Sequence, residues 1–309
     1  MSHPSERINP EPAASALDLI GSTPLVRITR ITAGLSPKIR IFAKIERGNP
    51  GGSVKDRPAF RMVEDAEKAG RLTRDKIILD SSSGNTGIAY AMIGAVKGYR
   101  VTIVIPGNAS VERKKIMAGF GAELVFSSPF EGADGAIRMA KELLIEHPAR
   151  YFQPDQYNNP SNPKAHELTT GPEIISALGG QVTHFVACVG TGGTIMGTGK
   201  ALKQHDPAIR VLSVHPDDAM HGIEGTKYLE EGAIVPGIFD KGFPDERLTV
   251  STEAAFDMTK RLAREEGLFV GTSSGAALSA ALRVAEKLDQ GTIVVMFPDG
   301  GDRYLSREL

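Results

Sequence analysis

The stretch His184-Phe185-Val186-Ala187-Cys188-Val189-Gly190-Thr191-Gly192-Gly193-Thr194 decides the fold class. Residues 184–189 form a short apolar run, which suits a strand buried on both faces, and the glycine-rich turn behind it opens a helix. Working outward, the same alternation recurs. β-branched runs at 40–44, 76–79, 100–105, 123–126, 210–214 and 292–296 read as strands. Amphipathic stretches at 57–69, 88–96, 111–120, 133–146, 163–177, 254–265 and 276–288 read as helices. Several stop at glycine (Gly70, Gly98, Gly121, Gly179, Gly267), the usual helix terminator. Alternating strand and helix predicts an α/β fold of mostly parallel, twisted sheets covered on both faces, a three-layer αβα arrangement. Residues 153–163, with three prolines and three asparagines, read as the connection between two lobes. Ligands favour the cleft between such lobes.

Composition narrows the function. Lys and Arg total 36 against 37 Asp and Glu, a net charge of −1, which argues against nucleic acid or an anionic membrane as partner. A single cysteine, Cys188, excludes an internal disulfide framework and a cysteine-based zinc site. The seven histidines show no close ligand pair, so no metal is expected. Residues 1–15 contain three prolines and no apolar run, unlike a signal peptide. The longest apolar stretch, 88–96, is about half of what a spanning helix needs. A cytoplasmic enzyme is the expectation. The 34 glycines point to places where backbone turns sharply or closely approaches a ligand.

Three glycine-bearing elements carry the chemistry. Gly190-Thr191-Gly192-Gly193-Thr194 can surround a phosphate with amides and hydroxyls. It fails the dinucleotide fingerprint at Ile195 and the Walker pattern at Thr194 and Ala201. It is therefore either a tight turn without ligand or a cradle for a phosphate other than a nucleotide's. Ser81-Ser82-Ser83-Gly84-Asn85-Thr86-Gly87 offers hydroxyls, an amide and helix N-terminal N–H groups, suited to a small carboxylate, or else to plain capping. In Asn49-Pro50-Gly51-Gly52-Ser53-Val54-Lys55-Asp56-Arg57, a Gly-Gly turn delivers Lys55 to the start of a helix. A lysine there opposes the helix dipole, so it is either a solvated lysine or one retained for chemistry such as a Schiff base.

Together these elements are what an amino-acid enzyme using pyridoxal phosphate requires. With Gly21-Ser22-Thr23-Pro24-Leu25, N-N-P-S-N-P, Gly271-Thr272-Ser273-Ser274-Gly275 and Pro298-Asp299-Gly300-Gly301 in order, the chain resembles the cysteine synthase (O-acetylserine sulfhydrylase) family. The resemblance is closest to its B-type branch, within the fold-type-II, tryptophan synthase β-like pyridoxal-phosphate enzymes. It implies a smaller, mobile, substrate-binding N-terminal domain at 48–155 and a larger cofactor-binding domain of 1–47 plus 156–309. Lys55 would carry the cofactor as a Schiff base and act as general base. Asn85 would meet the ring hydroxyl, Gly190, Thr191, Gly192, Gly193 and Thr194 the phosphate, and Ser273 the pyridine nitrogen. Ser82, Ser83, Thr86 and Gln156 would hold the substrate carboxylate. The implied reaction is β-replacement through an aminoacrylate, making L-cysteine from O-acetyl-L-serine or O-phospho-L-serine and a sulfide donor. Cystathionine synthesis and cysteine desulfhydration are alternatives, and serine or threonine dehydration is a weaker one. The resemblance further implies a homodimer, with a sulfur-carrier protein or serine acetyltransferase as candidate partners.

The remaining features read more plainly. Cys188 reads as core, and Glu112-Arg113-Lys114-Lys115 as a solvated helix face. Residues 215–240 resist assignment but should flank the cleft entrance, with Glu224 able to activate water. Between Arg210 and Arg247 there is no arginine to grip a substrate phosphate, which favours O-acetylserine. Asp299 is the nearest acidic alternative to Ser273 at the pyridine nitrogen.

Overall fold

The computed structural model describes residues 12–82, 84–229, 233 and 235–306. Two sheets organise it. The larger runs β1 (Leu25–Ile28), β2 (Ile39–Ile45), β10 (Gly291–Phe297), β7 (His184–Cys188), β8 (Arg210–Pro216), β9 (Glu246–Val250). All its neighbours are parallel except β1, which runs antiparallel to β2. The smaller sheet is wholly parallel, in the order β5 (Glu123–Ser127), β4 (Val101–Pro106), β3 (Ile77–Ser81), β6 (Tyr151–Phe152).

Side-chain alternation along the strands builds the layers. In β7, Phe185 points to one face with Val211 and Val294, where Ile174 of α6 (Thr170–Leu178) and Leu202 of α7 (Gly193–His205) cover it. Its neighbour Val186 points to the other face with Leu212 and Ile293, beneath Leu262 of α8 (Thr252–Glu266) and Leu278 of α9 (Thr272–Ala285). In the small sheet, Ile78 and Ile103 pack under Met62 of α1 (Asp56–Lys68) and Ile93 of α2 (Asn85–Lys97). Ile77 and Leu79 face Ala136 and Ala140 of α4 (Gly132–Glu146). Each large side chain buried in this way contributes about 1.5–3 kcal/mol. Every residue of β3 and β4 is buried, the polar Asp80, Ser81 and Thr102 included, so neither strand shows the regular apolar–polar alternation of a half-exposed sheet.

The expected α/β architecture is present, with three differences in detail. The stretch 163–177 is not one helix but two, α5 (Ser161–Leu168) and α6, with the break at Thr169. Pro172 has no N–H to offer the carbonyl of Leu168, so the first helix cannot continue through it. Three strands escape the periodicity. β1 and β6 are only four and two residues long, and β9 is an edge whose charged residues Glu246 and Arg247 mask its pattern. Residues 217–229 and 235–245 form turns and irregular chain beside β8. Among the described residues no helix is long and apolar enough to cross a membrane.

Candidate active site

The carboxyl ends of β3, β7 and β10 open on one cleft, the position where parallel sheets usually bind ligands. A cavity of about 300 Å³ is bordered by Lys55, Ser82, Asn85, Thr86, Gln156, Gly190 and Thr191. A narrower pocket of about 40 Å³ shares Lys55, Asn85, Gly190 and Thr191, and adds Gly192, Thr194, Ser273 and Asp299. The expected site residues thus converge, with two exceptions. Ser83 lies outside the described residues, and Gly193 begins α7 behind the wall, where an added Cβ would run into the Asn162 amide.

Lys55 sits at the N-cap of α1 and makes no capping bond. Its turn is clamped to the end of β10: Val54 N donates to Pro298 O at 2.8 Å, and Ser53 bridges to Asp299. Gly52 takes φ +79°, a conformation that a residue with a side chain rarely adopts. Burial lowers the Lys55 pKa, and the charge of Asp299 offsets this only in part. A lowered pKa enlarges the neutral fraction of the amine, the form that can take a proton or bond to a carbonyl carbon.

Across the cavity, α2 starts from Gly84, which has no side chain of its own to cap the helix. Ser82 Oγ accepts from Gly84 N at 3.2 Å and Gly87 N at 3.0 Å, which leaves its own proton to donate. Thr86 Oγ1 donates to Gln156 Oε1 at 2.8 Å, which fixes the glutamine oxygen and leaves its NH₂ as donor. The glycine loop after β7 has the same character: Gly192 (φ +86°) opens α7 with no side-chain cap of its own, and Thr191 Oγ1 accepts a long hydrogen bond from Gly193 N at 3.4 Å. Two residues of α5 stand behind this loop. Asn162 Nδ2 donates to Thr191 Oγ1 at 3.2 Å and to Gln156 O at 2.8 Å. His166 Nε2 lies 3.3 Å from Thr194 Oγ1, and its Nδ1 lies 2.9 Å from Thr170 Oγ1. Burial, then the charges of Arg57 and Lys55, holds the His166 pKa well below the usual histidine range, so the ring stays neutral. N-N-P-S-N-P marked this segment in the sequence, but not its supporting role.

Several expectations need correction. Arg113 does not lie on a solvated face of α3 (Val111–Gly119): it is 4% exposed, pairs with Glu224, stacks 4.8 Å from the Tyr304 ring, and borders the cavity. An arginine does therefore reach the cleft, from the smaller sheet's side rather than from 210–247. Glu224 borders the same cavity, but held by Arg113 it is not a carboxylate left to activate water. Cys188 packs against the edge of the core, as read, but is only half-buried and also reaches the pocket wall, where its thiol donates to Ser273 O at 3.2 Å. Burial pushes that thiol up to about 12, so it is inert. Asp299 shares the narrow pocket with Ser273, and its Oδ2 accepts from Asn85 Nδ2 at 2.7 Å and from Tyr304 OH at 2.6 Å.

Beneath Lys55, a buried ionic network fixes α1. Arg57 bonds Glu46 and Glu173 at 2.7–2.9 Å, and Lys44 reaches Glu173 at 2.5 Å. Burial alone would raise the Glu173 pKa, yet Arg57 and Lys44 hold it at about 2.

Comparison with known proteins now decides the family. Residues 16–299 match the family model described as "Pyridoxal-phosphate dependent enzyme". The chain belongs to that family. It is 49% identical over 298 residues to a cysteine synthase of Aquifex aeolicus (strain VF5), covering 95% of this chain and 91% of that protein. Among solved structures it is similar to an Entamoeba histolytica cysteine synthase, with a TM-score of 0.92 and 39% identity over 99% of this chain and 92% of that one. A Helicobacter pylori O-acetylserine-dependent cystathionine β-synthase aligns with a TM-score of 0.90 at 37% identity, over 96% and 99% of the two chains. These relatives place the chain in the cysteine synthase branch of the pyridoxal-phosphate enzymes.

The residues present fit the cofactor. A glycine-opened helix start flanked by the hydroxyls of Thr191 and Thr194 is a donor-rich site of the kind a phosphate dianion needs. An amine with a lowered pKa borders the same pocket, as covalent attachment requires.

Proposed function

We propose that the chain makes L-cysteine from O-acetyl-L-serine and a sulfide donor by pyridoxal-phosphate-dependent β-replacement. The observation that carries this reading is the convergence of a lowered-pKa Lys55, the glycine loop that opens α7, and the Ser82–Thr86–Gln156 donor cluster around one cleft. Residues Gly190–Thr194 would hold the cofactor's phosphate, Asn85 its ring oxygen, Ser273 its pyridine nitrogen, and Lys55 its aldehyde carbon. When bound, pyridoxal phosphate supplies an electron sink for charge developing at the substrate's α-carbon.

The protein's own residues do the rest. Ser82, Thr86 and Gln156, with Ser83, grip the substrate carboxylate against the start of α2, where the helix end favours a negative charge. That grip sets the α-hydrogen toward Lys55, whose neutral amine takes the proton and later returns it. Loss of the β-acetoxy group leaves the β-carbon open to sulfide. Ser273 is a neutral partner for the pyridine nitrogen, which limits charge build-up and favours elimination and addition over transamination. The same reading assigns residues 48–155 to a substrate-side domain and 1–47 plus 156–309 to a cofactor domain. It also makes the enzyme a cytoplasmic homodimer.

The test is a substrate panel of O-acetylserine, O-phosphoserine, serine and cysteine, each with sulfide or homocysteine. Cysteine from O-acetylserine plus sulfide at the highest kcat/KM is expected. Pyruvate release from serine at a rate indifferent to any sulfur donor contradicts the proposal.

A further inference from the structure

We propose that Arg303 is a positioning residue that locks the orientation of the Asn85 side-chain amide toward the cofactor. The inference rests on the cofactor-binding role read above for Asn85. It starts from what surrounds that amide. Arg303, 3% exposed, lies on the single turn Gly301–Arg303 after β10, in a segment whose sequence gave it no role. Its Nη1 donates to Asn85 Oδ1 at 2.5 Å, and its Nη2 donates to the carbonyl of Gly51. On the other side of the amide, Asn85 Nδ2 donates to Asp299 Oδ2 at 2.7 Å, an oxygen that also accepts from Tyr304 OH.

The chemistry of these neighbours fixes the amide. A guanidinium has donors only, so it must face the amide oxygen; a carboxylate accepts, so it faces the nitrogen. Rotating the amide by half a turn would set N–H against N–H on one side and oxygen against oxygen on the other. With Oδ1 committed to Arg303 and one N–H to Asp299, Asn85 presents its second N–H to the ring oxygen, never its carbonyl. The Gly-Gly turn before Lys55 is fitted to the same group: a Cβ on Gly52 would run into Arg303 Nη2. Arg303 thereby ties the lysine-bearing turn and the start of α2 to one charge.

A donor to the ring oxygen favours its ionised form, so loosening that donor makes the ring oxygen easier to protonate. The experiment is a pH titration of the visible absorption of the holoenzyme, with cofactor dissociation and thermal melting measured alongside. It compares wild type, Asn85→Ala, Arg303→Met, the double variant and Arg303→Lys. Arg303→Met is expected to raise the midpoint by about one pH unit and to weaken cofactor retention about tenfold. The double variant is expected to match Asn85→Ala, because Arg303 acts through that amide. Arg303→Lys, which keeps one charged donor, is expected to restore most of the wild-type midpoint. A shift in Asn85→Ala with none in Arg303→Met overturns the proposal alone, as does full additivity in the double variant. An unshifted Asn85→Ala overturns the role of Asn85, and this inference with it. Should Arg303→Met not fold, Arg303→Gln, a neutral side chain that can turn either its oxygen or its N–H toward the amide, serves instead: a raised midpoint supports the lock and an unchanged one overturns it.

Discussion

Replacing Arg57 by methionine is expected to destabilise the enzyme by about 3–5 kcal/mol, the usual effect of removing one partner from a buried ion pair. Arg57 is 3% exposed and donates to both oxygens of Glu46, at 2.7 and 2.9 Å, and to both oxygens of Glu173, at 2.7 Å each. After the substitution Glu173 keeps Lys44 at 2.5 Å. Glu46, fully buried, keeps only neutral donors, Thr23 Oγ1 at 2.5 Å and Asn49 Nδ2 at 2.8 Å. The penalty therefore falls on one uncompensated carboxylate. For a 309-residue chain the unfolding entropy is about 0.65 kcal/mol/K, so the melting midpoint should drop by about 5–8 °C. Urea unfolding of the holoenzyme, checked by scanning calorimetry, measures both quantities. Adding Glu46→Gln removes the stranded charge and should recover at least half of the loss, although methionine cannot replace the hydrogen bonds. A loss below about 1 kcal/mol, or a double variant worse than the sum of its parts, would refute this account of how α1 is held.

Other outcomes follow from the same geometry. Burial lifts the Asp56 carboxyl to about 7, against 3.8 for an ordinary aspartate, so its stability contribution is full below pH 4 and lost as pH rises through 7. Asp56→Asn should thus gain on wild type across that window, by about 2–4 kcal/mol in urea titrations; a pH-independent difference argues against it. Gly193→Ala pushes Asn162 off the phosphate loop and should weaken cofactor retention at least about tenfold, measured by dialysis and absorbance, while overpacking of this buried contact lowers the melt of the cofactor-free protein by about 2–5 °C. Native Cys188 should alkylate at pH 8 at least about 100-fold slower than after unfolding, because its thiol sits near 12; equal rates would show an exposed thiolate.

Local chemistry was legible in the sequence wherever a residue's task is set by its immediate neighbours. A Gly-Gly turn before a helix start pointed to Lys55, and a strand followed by Gly190–Thr194 marked a loop able to hold a phosphate, but only their combination with the other motifs favoured chemistry over a solvated lysine and a plain turn. Residues whose role depends on a distant segment were not. Arg113 shares its helix with exposed lysines, and only the approach of Glu224 and Tyr304 makes it part of the cleft. Asn162 and His166 matter because α5 packs behind a loop about thirty residues further on. Cys188 has the pattern of core filler, and its position at the end of β7, not its type, brings it to the pocket wall. The helix break at Thr169 was masked by an amphipathic pattern that runs on through it, although Pro172 was there to signal it.

The central claim is that this cleft holds pyridoxal phosphate on Lys55. Borohydride reduction of the holoenzyme, followed by peptide mass mapping, tests it most directly. The account predicts one pyridoxyl adduct per chain, on the peptide containing Lys55, and loss of both the adduct and the visible band in Lys55→Ala. An adduct on another lysine, or an unchanged visible band in Lys55→Ala, would contradict it.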